Sequence, residues 1–300
     1  MTAAAAIPRA EARPPGTMRA VTWNIRAAIG PGEPFPPAWW RHVRRDRLER
    51  IAGVIADIDA DIVALQEVAL FTPNGEVNDQ ALELARLTDR QVRYAAIHAF
   101  ALIEPEDGRA IGAATWGNAV LTRRPLDDGF AVGLPVGGDD DPVEPADSGL
   151  PLAGVTFADA PYGTREPRCA IGGRVATAAG DVAIITAHLT YAGTDQRRRQ
   201  ADELARMASG LAGPVIVAGD FNAAIEAPEL GALANGFDDA FRAAGLEPGD
   251  PRRASCGAMR IDHLLSRGLR ALDCRVVIEA GDASDHLPVL ATFEVAAPPA

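Results

Sequence analysis

The chain has 300 residues, of which 48% are hydrophobic and 23% charged, and its formal net charge is −12 at pH 7. These values are typical of a globular protein with a sizeable core. No stretch approaches the roughly 18 consecutive apolar residues that span a membrane, so we expect a cytoplasmic protein. The acidic balance disfavours non-specific nucleic-acid binding, because such binding depends on basic side chains that neutralise phosphates.

The amino-terminal segment and the cysteines point to one folded unit behind a short leader. Residues 1–17 are rich in Ala and Pro but lack the basic and long apolar segments of a signal peptide. We therefore expect a disordered leader over residues 1–17 and a single domain over residues 18–296. The three cysteines are far apart and form no CxxC pair, which argues against a zinc site or a disulfide framework.

The first half of the chain alternates between apolar segments and segments with helical spacing. Strands are predicted at Met18–Ile25, Asp61–Val68, Val92–Phe100 and Gly117–Thr122, and helices at Trp39–Ile58 and Asp79–Arg90. A Pro- and Gly-rich loop is predicted at Gly30–Pro37. The continuous apolar run Asp61–Val68, closed by a glutamate, is typical of a strand buried on both faces.

The second half begins with an acidic segment, Asp127–Ala160, which is rich in Gly, Pro and Asp and is predicted to be a loop or hairpin insertion. Strands are then predicted at Ala170–Ala176, Val182–Leu189, Val215–Gly219, Arg260–Leu265, Ala271–Ile278 and Val289–Val295, with a helix at Gln196–Gly210. No regular βαβ repeat is present. This mixture favours two stacked mixed β-sheets with helices packed outside them over a doubly wound sheet.

Polar residues recur at the ends of these otherwise apolar strands, where a rigid scaffold can present side chains at one rim. Glu67, Asp220 and Asp285 supply carboxylates, and Asn24 and Asn222 supply neutral oxygens. Hard oxygen ligands of this kind suit Mg²⁺ or Mn²⁺. Three carboxylates that face one another would also repel unless a dication lay between them.

Two histidines accompany these ligands. His188 and His286 can exchange a proton near neutral pH, and Asp262 can fix the orientation of one of them. Each signal is weak alone, because GDFN can be a turn, SDH can be a helix N-cap, and a histidine such as His188 on an apolar strand is more often a satisfied core residue. His42 and His98 belong to no polar cluster, and we interpret both as structural or exposed.

Taken in order, the motifs TWNI, LQEV, GNAVLTRRPL, TAHL, GDFN, IDH and SDHLPV resemble those of the endonuclease/exonuclease/phosphatase family. The resemblance covers residues 18–295. It implies a DNase-I-like four-layer α/β sandwich, in which two stacked mixed β-sheets are flanked by helices. It also implies that residues 18–296 form one catalytic domain, a divalent-metal-dependent phosphoester hydrolase.

The resemblance assigns roles to individual residues. Asn24 and Glu67 match the family's first metal-site pair, with Glu67 the principal Mg²⁺ ligand, and Asp285 completes the expected metal set. Asp220 and Asn222 match the element that orients the attacking water and contacts the phosphate.

The remaining family positions concern the phosphate and the proton. His188 matches a histidine that contacts a non-bridging oxygen or assists the leaving group, and His286 matches the terminal histidine, with Asp262 as its hydrogen-bonding partner. Arg165 and Arg168, upstream of His188, resemble phosphate-contacting arginines, and the residues do not decide between them.

Two further positions qualify the metal site and its surroundings. Asn118 matches the asparagine of the GN element and is expected either to be structural or to support the site residues from behind. Arg26 stands where some nucleases of the family carry an acidic residue, and a cation there would weaken a second metal site. We therefore expect one tightly bound Mg²⁺ or Mn²⁺.

The substrate stays open between three alternatives. A nuclease would use Arg165 and Arg168, with Arg123 and Arg124 as further contacts to the nucleic-acid backbone. The net charge argues against a nuclease and favours a small-molecule or lipid phosphoesterase. A catalytically inactive binding module is disfavoured because the whole set of site residues is retained. No obligate protein partner is evident.

Overall fold

The computed structural model describes residues 14–32, 38–136, 146–147, 166–177, 180–191 and 193–295. Its strands are β1 Thr17–Asn24, β2 Ile62–Phe71, β3 Asn78–Asp79, β4 Gln91–Ile103, β5 Ala110–Thr122, β6 Leu126–Leu134, β7 Ala146–Asp147, β8 Arg168–Thr177, β9 Gly180–His188, β10 Val215–Asp220, β11 Asp238–Asp239, β12 Asp262–Arg267, β13 Arg270–Val276 and β14 Val289–Glu294. Its α-helices are α1 Arg45–Ile58, α2 Gln80–Thr88, α3 Thr194–Gly210, α4 Gly231–Gly236 and α5 Ala240–Ala243.

The strands form two mixed sheets. The first sheet has the order β13-β14-β1-β2-β5-β4-β7, with β3 paired to β2. The second has the order β11-β12-β10-β9-β8-β6. Each sheet contains one parallel pair of central strands, β1 with β2 in the first and β9 with β10 in the second. Because the strands of each pair are parallel, the side chains at their carboxyl ends are neighbours.

Three apolar clusters define the layers. Helices α1 and α2 pack against the first sheet through residues such as Ile51 and Leu84, and α3 packs against the second through residues such as Leu204. Between the sheets lies a core that contains Ile62 and Ile216. The four-layer α/β sandwich with helices outside two mixed sheets is therefore confirmed.

The predicted helix Trp39–Ile58 is divided. A 3-10 turn occupies Trp39–His42, and the α-helix begins only at Arg45. Trp39 packs edge-on against Trp116 and Phe71, with ring centroids 5.0 and 5.2 Å away. The aromatic contact holds this segment against the first sheet, so it does not continue the axis of α1.

The predicted loop or hairpin at Asp127–Ala160 is partly wrong. Residues 126–134 form β6, which pairs antiparallel with β8, and β7 pairs with β4. The rest of the insertion, including the aspartate run at 139–141, lies outside the described residues, as do residues 1–13 of the expected leader and 33–37 of the Pro-rich loop. None of the helices within the described ranges is both long and apolar enough to cross a membrane.

Candidate active site

Adjacent strands of the second sheet bring three predicted site residues side by side. Asp220 ends β10, and its register partners are His188, which ends β9, and Asp262, which begins β12. Arg168 begins the antiparallel β8 at the same edge. The sequence expectation that strand ends assemble one site therefore agrees with the register of this sheet.

Glu67 reaches the site by a different route. The sequence predicted that Glu67 closes its strand, but β2 continues to Phe71. The register between β2 and β5 shifts between Leu65 and Val68, and Glu67 has a φ of 53°. This is a β-bulge, a feature that re-aims a side chain next to active sites.

Asn24 links the two sheets. Its Nδ2 donates to Glu67 Oε1 at 2.8 Å and to Asp220 Oδ2 at 3.1 Å. Its Oδ1 accepts from the backbone N–H of Arg26 at 3.0 Å. One amide therefore holds together a carboxylate from each sheet.

The electrostatics of these carboxylates reflect their burial. Burial, together with the neighbouring charge of Asp262, raises the pKa of Asp220 to about 7. Burial also raises the pKa of Glu67, although the hydrogen bond from Asn24 acts in the opposite direction. Both groups would gain from a cation beside them, because a positive charge favours the ionised carboxylate.

His286 is held from several sides. Its Nδ1 lies 2.8 Å from Asp262 Oδ2, and its Nε2 lies 3.8 Å from Asp220 Oδ2. Trp23 Nε1 donates to the backbone carbonyl of His286, and Ser284 Oγ donates to that of Asn24. Burial opposes a charge on His286, but Asp262 and Asp220 outweigh it and raise the pKa of the imidazole well above its usual range.

His188 has the opposite character. Its Nε2 lies 3.0 Å from Asn222 Nδ2, which also donates to the carbonyl of Leu189. Because that carbonyl can only accept, the amide orientation is fixed and His188 Nε2 is the acceptor. Burial, together with the charge of Arg168, lowers the pKa of His188 well below its usual value, so the ring is neutral.

The turn after β10 explains the GDFN motif. Asp220 Oδ1 accepts from the backbone N–H of Asn222, whose φ is 50°, a conformation that asparagine tolerates. Gly219 has a φ of 152°, and a Cβ there would lie 1.9 Å from the carbonyl oxygen of Ala187. Only glycine fits this close approach.

The predicted metal ligand Asp285 lies at the border of the site. Its side chain is 33% exposed, and Arg26 Nε lies 3.4 Å from its Oδ2. Ser284 Oγ lies 3.2 Å from its other oxygen, although the shorter bond of this hydroxyl goes to the Asn24 carbonyl. Arg26 thus places a cation on the Asp285 side of the site.

Of the two candidate phosphate arginines, the structure describes Arg168, whereas Arg165 lies outside the described residues. Arg168 is 7% exposed and forms an ion pair with Glu166. Its Nε is buried and hydrogen-bonds nothing in the described part of the chain. Arg123 and Arg124 follow Thr122, which pairs with the first residue of β2, so they lie at the opposite end of that strand from the site.

Two residues near the site escaped the sequence interpretation. Glu166 binds Arg168 with one oxygen and accepts from Thr190 Oγ1 and Tyr191 N with the other. His98, which the sequence placed in no polar cluster, is close enough to Arg168 and Glu166 for both charges to act on it. Neither residue lies at the end of an apolar strand, so the strand pattern gives no signal for it. Their proximity to Arg168 is visible only in three dimensions.

Asn118 has the structural contact that was expected of it. Its Nδ2 donates to the carbonyl of Cys169 at 3.0 Å, which ties β5 to β8 across the interface between the sheets. Cys169 itself is fully buried.

The donors fit a hard divalent cation. Asp220, Asp262 and His286 each place a potential ligand atom within 4.8 Å of the others, although Asp262 Oδ2 is already hydrogen-bonded to His286 Nδ1. Asp262 Oδ1 is buried without a hydrogen-bond partner in the described structure. Glu67 adds a further carboxylate, which accepts a hydrogen bond from Asn24. Buried carboxylates in this number are the donor set that Mg²⁺ and Mn²⁺ prefer.

A sequence profile described as the Endonuclease/Exonuclease/phosphatase family matches residues 21–286. This span runs from β1 through His286 and includes every predicted site residue. By sequence, no curated protein matches the chain.

Solved structures with the same fold are distant in sequence. An endonuclease/exonuclease/phosphatase from Beutenbergia cavernae is 22% identical, with a TM-score of 0.66 over 95% of this chain and 73% of that one. The human nocturnin catalytic domain with bound sulfate is 18% identical, with a TM-score of 0.60 over 92% and 94%. A mannosyl-6-phosphatase from Bacteroides thetaiotaomicron is 17% identical, with a TM-score of 0.59 over 92% and 99%.

Proposed function

The chain belongs to the endonuclease/exonuclease/phosphatase family, and from this premise we propose that it is a divalent-metal-dependent phosphodiesterase that cleaves by in-line attack of an activated water. The observation that carries the proposal is the position of Asp220, whose Oδ2 lies 3.4 Å from His188 Nε2 and 3.8 Å from His286 Nε2. A buried carboxylate between a neutral and a charged histidine is suited to move a proton at a phosphoester.

We propose that the site binds one Mg²⁺ or Mn²⁺ through Glu67, with Asp285 and Asn24 as further ligands. When bound, a dication there would neutralise charge on the phosphate and on the leaving oxygen. The Asn24 carbonyl oxygen accepts from Arg26 N–H, so metal ligation by Asn24 would require its amide to turn. The ion pair of Arg26 with Asp285 supports a single metal rather than two.

Asp220 is our candidate for the general base. The sequence leaves open whether Asp220 or His286 takes the proton from water. The electrostatics favour Asp220, because its pKa is raised to about 7 by burial and by Asp262. The pKa of His286 is raised by Asp262 and Asp220 despite its burial, so His286 is a charged donor suited to a phosphate oxygen.

Arg168 would hold a remaining phosphate oxygen, and the His188–Asn222 pair would border the site beside it. The buried Nε of Arg168, which lacks a partner among the described residues, is the natural donor to an anion. Asn222 is fixed by His188 and Leu189 at the edge of the second sheet, close to Asp220. The catalytic domain of nocturnin was solved with a bound sulfate, which is also a tetrahedral anion.

The substrate is better sought among small phosphodiesters than among long nucleic acids. The net charge of −12 opposes association with another polyanion. Arg123 and Arg124, two of the arginines considered for nucleic-acid contacts, lie away from the site. A nuclease and a small-molecule or lipid phosphomonoesterase remain as outcomes of the test. An inactive binding module is disfavoured because Glu67, Asp220 and His286 are all retained and converge at one buried site.

The test compares hydrolysis of bis-p-nitrophenyl phosphate with that of p-nitrophenyl phosphate, in Mg²⁺, in Mn²⁺ and in EDTA. We expect faster metal-dependent cleavage of the diester. Asp220→Ala and His286→Ala should each lower turnover by about 10³-fold or more, whereas the exposed Asp238→Asn should not. Near-wild-type turnover in either alanine variant would refute the mechanism. Efficient nicking of plasmid DNA in parallel would identify a nuclease instead.

A further inference from the structure

Two β-bulges flank the same point of β5. The register between β2 and β5 shifts where Ala119 gives way to Gly117, and the register between β4 and β5 shifts where Gly117 gives way to Trp116. A Cβ on Gly117 would lie 1.9 Å from the carbonyl oxygen of Ala95. The first bulge directs the side chain of Glu67 into the site. The second bulge immediately precedes His98, so the direction of the His98 side chain depends on it.

The second bulge turns His98 toward the opposite sheet. Ile97 packs against the core between the sheets. In a regular strand consecutive side chains point to opposite faces, so the next residue would point away from that core. His98 nevertheless lies within electrostatic reach of Arg168 and Glu166, which belong to the second sheet side of the sandwich. An extra residue at the register shift accounts for this change of direction.

Neighbouring contacts fix where this part of β4 lies. The carbonyl of Ala95 faces the sulfur of Cys169, and Asn118 donates to the carbonyl of Cys169. Cys169 directly follows Arg168 in β8. Ala95 in β4 therefore contacts the residue that follows Arg168. His98 lies three residues after Ala95 in the same strand.

Arg168 is itself rigidly oriented. Glu166 accepts from it, and the backbone of Glu166 is held on both sides by Gln196, whose Oε1 accepts from its N–H and whose Nε2 donates to its carbonyl. Arg168 acts electrostatically on Glu67, His188 and His98. The guanidinium of Arg168 therefore lies close to all three groups, in the part of the site that would bind the substrate.

We propose that His98 is a further substrate-contacting residue that donates a hydrogen bond, beside Arg168, to an oxygen of the substrate's phosphate. The inference rests on the proposed phosphoesterase function and deepens it. His98 is partly buried and has no side-chain hydrogen bond within the described ranges, so its N–H is available to a ligand. Burial and Arg168 lower its pKa to about 4, against the influence of Glu166. The ring therefore binds as a neutral donor.

The test uses His98→Ala and His98→Gln, with His42→Ala as the matched control on an exposed histidine outside the site. For His98→Ala we expect KM to rise about tenfold for both the diester and the monoester of p-nitrophenol, because both present free phosphate oxygens. The inhibition constant of inorganic phosphate should rise by the same factor, and kcat should change less than about threefold. His98→Gln, which keeps an N–H donor, should recover part of the loss.

The outcomes separate the two levels of the proposal. An active wild-type enzyme whose His98→Ala variant keeps its phosphate inhibition constant would overturn the role of His98 alone. A loss limited to the diester would overturn it as well, since the contact would then be to the ester group. A wild-type protein without metal-dependent hydrolysis of either ester would overturn the proposed function and this inference with it. Circular dichroism and the melting temperature establish that each variant is folded.

Discussion

At the scale of single residues, the ionised carboxylate of the buried Asp220 lowers the free energy of unfolding. Burial and Asp262 raise its pKa from 3.8 to about 7, so the folded state holds its proton where the unfolded state has released it. Stability must then fall as pH rises from about 4 to about 7, because the folded state binds more protons over that range. We expect Asp220→Asn to raise the free energy of unfolding by about 1–3 kcal/mol at pH 8 in EDTA, and to have little effect below pH 4.

Urea denaturation between pH 4 and pH 8 measures this difference directly. Asp238→Asn serves as the control, because Asp238 is exposed to solvent in the folded state. A gain in stability that is equal at pH 4 and pH 8 would mean that the charge of Asp220 is not its source. Activity lost together with stability gained is the pattern expected of a functional site.

The His286–Asp262 pair gives a second prediction at this scale. Asp262 Oδ2 lies 2.8 Å from His286 Nδ1 and stabilises the imidazolium. Asp262→Asn keeps the size of the side chain but removes the charge, so it should lower kcat by about 10–100-fold. Steady-state rates with saturating Mg²⁺ measure the loss. An unchanged kcat would show that the carboxylate does not support the charge on His286.

Much of the site could be predicted from single residues. His188, Asp220 and Asp262 each stand at the end of an apolar strand, where the polar side chain interrupts the apolar pattern, and the register brings them together. Glu166 and His98 could not be found in this way. Glu166 lies before its strand, and His98 depends on an extra residue in β4 that no periodicity reveals.

At the scale of secondary-structure elements, the bulges around β5 depend on Gly117. A methyl group there would overlap the backbone of β4, with the carbonyl oxygen of Ala95 only 1.9 Å from the added atom. Relief requires movement of β4 or β5, which carry His98 and Asn118. We expect Gly117→Ala to lower the free energy of unfolding by about 1–3 kcal/mol and to reduce activity as well.

The matched control for Gly117 is Gly53 in α1. A Cβ at Gly53 meets no atom within 4 Å, so Gly53→Ala should raise stability by about 0.5–1 kcal/mol through the helix propensity of alanine. Chemical denaturation of both variants compares the two glycines. Wild-type stability and activity in Gly117→Ala would show that the two strands separate without cost, and that the bulges do not need a glycine between them.

The elements that the sequence predicted well are those buried on both faces. The central strands β2, β9 and β10 are continuous apolar runs, and their positions were predicted to within a few residues. Strand β6 was missed because it is the edge strand of the second sheet, and its first residues are polar and largely exposed. An edge strand has little burial to impose an apolar pattern, so its sequence resembles that of a loop.

At the scale of the whole molecule, order along the chain predicted more than composition did. The seven motifs implied the layered fold through their resemblance, taken in order, to those of the endonuclease/exonuclease/phosphatase family. The composition shows only that the chain is globular and acidic. The contact between the sheets, where Asn24 joins Glu67 to Asp220, lies between residues up to 196 positions apart, and no local pattern could predict such a link.

Net charge gives the last prediction, which concerns the choice of substrate. Arginines near the site are paired with carboxylates, Arg168 with Glu166 and Arg197 with Glu229, in a molecule whose net charge is −12. A protein that binds a nucleic acid through six or more phosphates loses about 10³-fold in affinity between 50 and 200 mM salt. We expect kcat/KM for bis-p-nitrophenyl phosphate to change less than about twofold over that range, and plasmid nicking to be slow throughout, because one phosphate is recognised inside a buried site. Parallel assays in NaCl at constant free Mg²⁺ measure both activities. Rapid nicking that falls steeply with salt would instead identify a nucleic-acid substrate, and would require arginines beyond those of the site to contact its backbone.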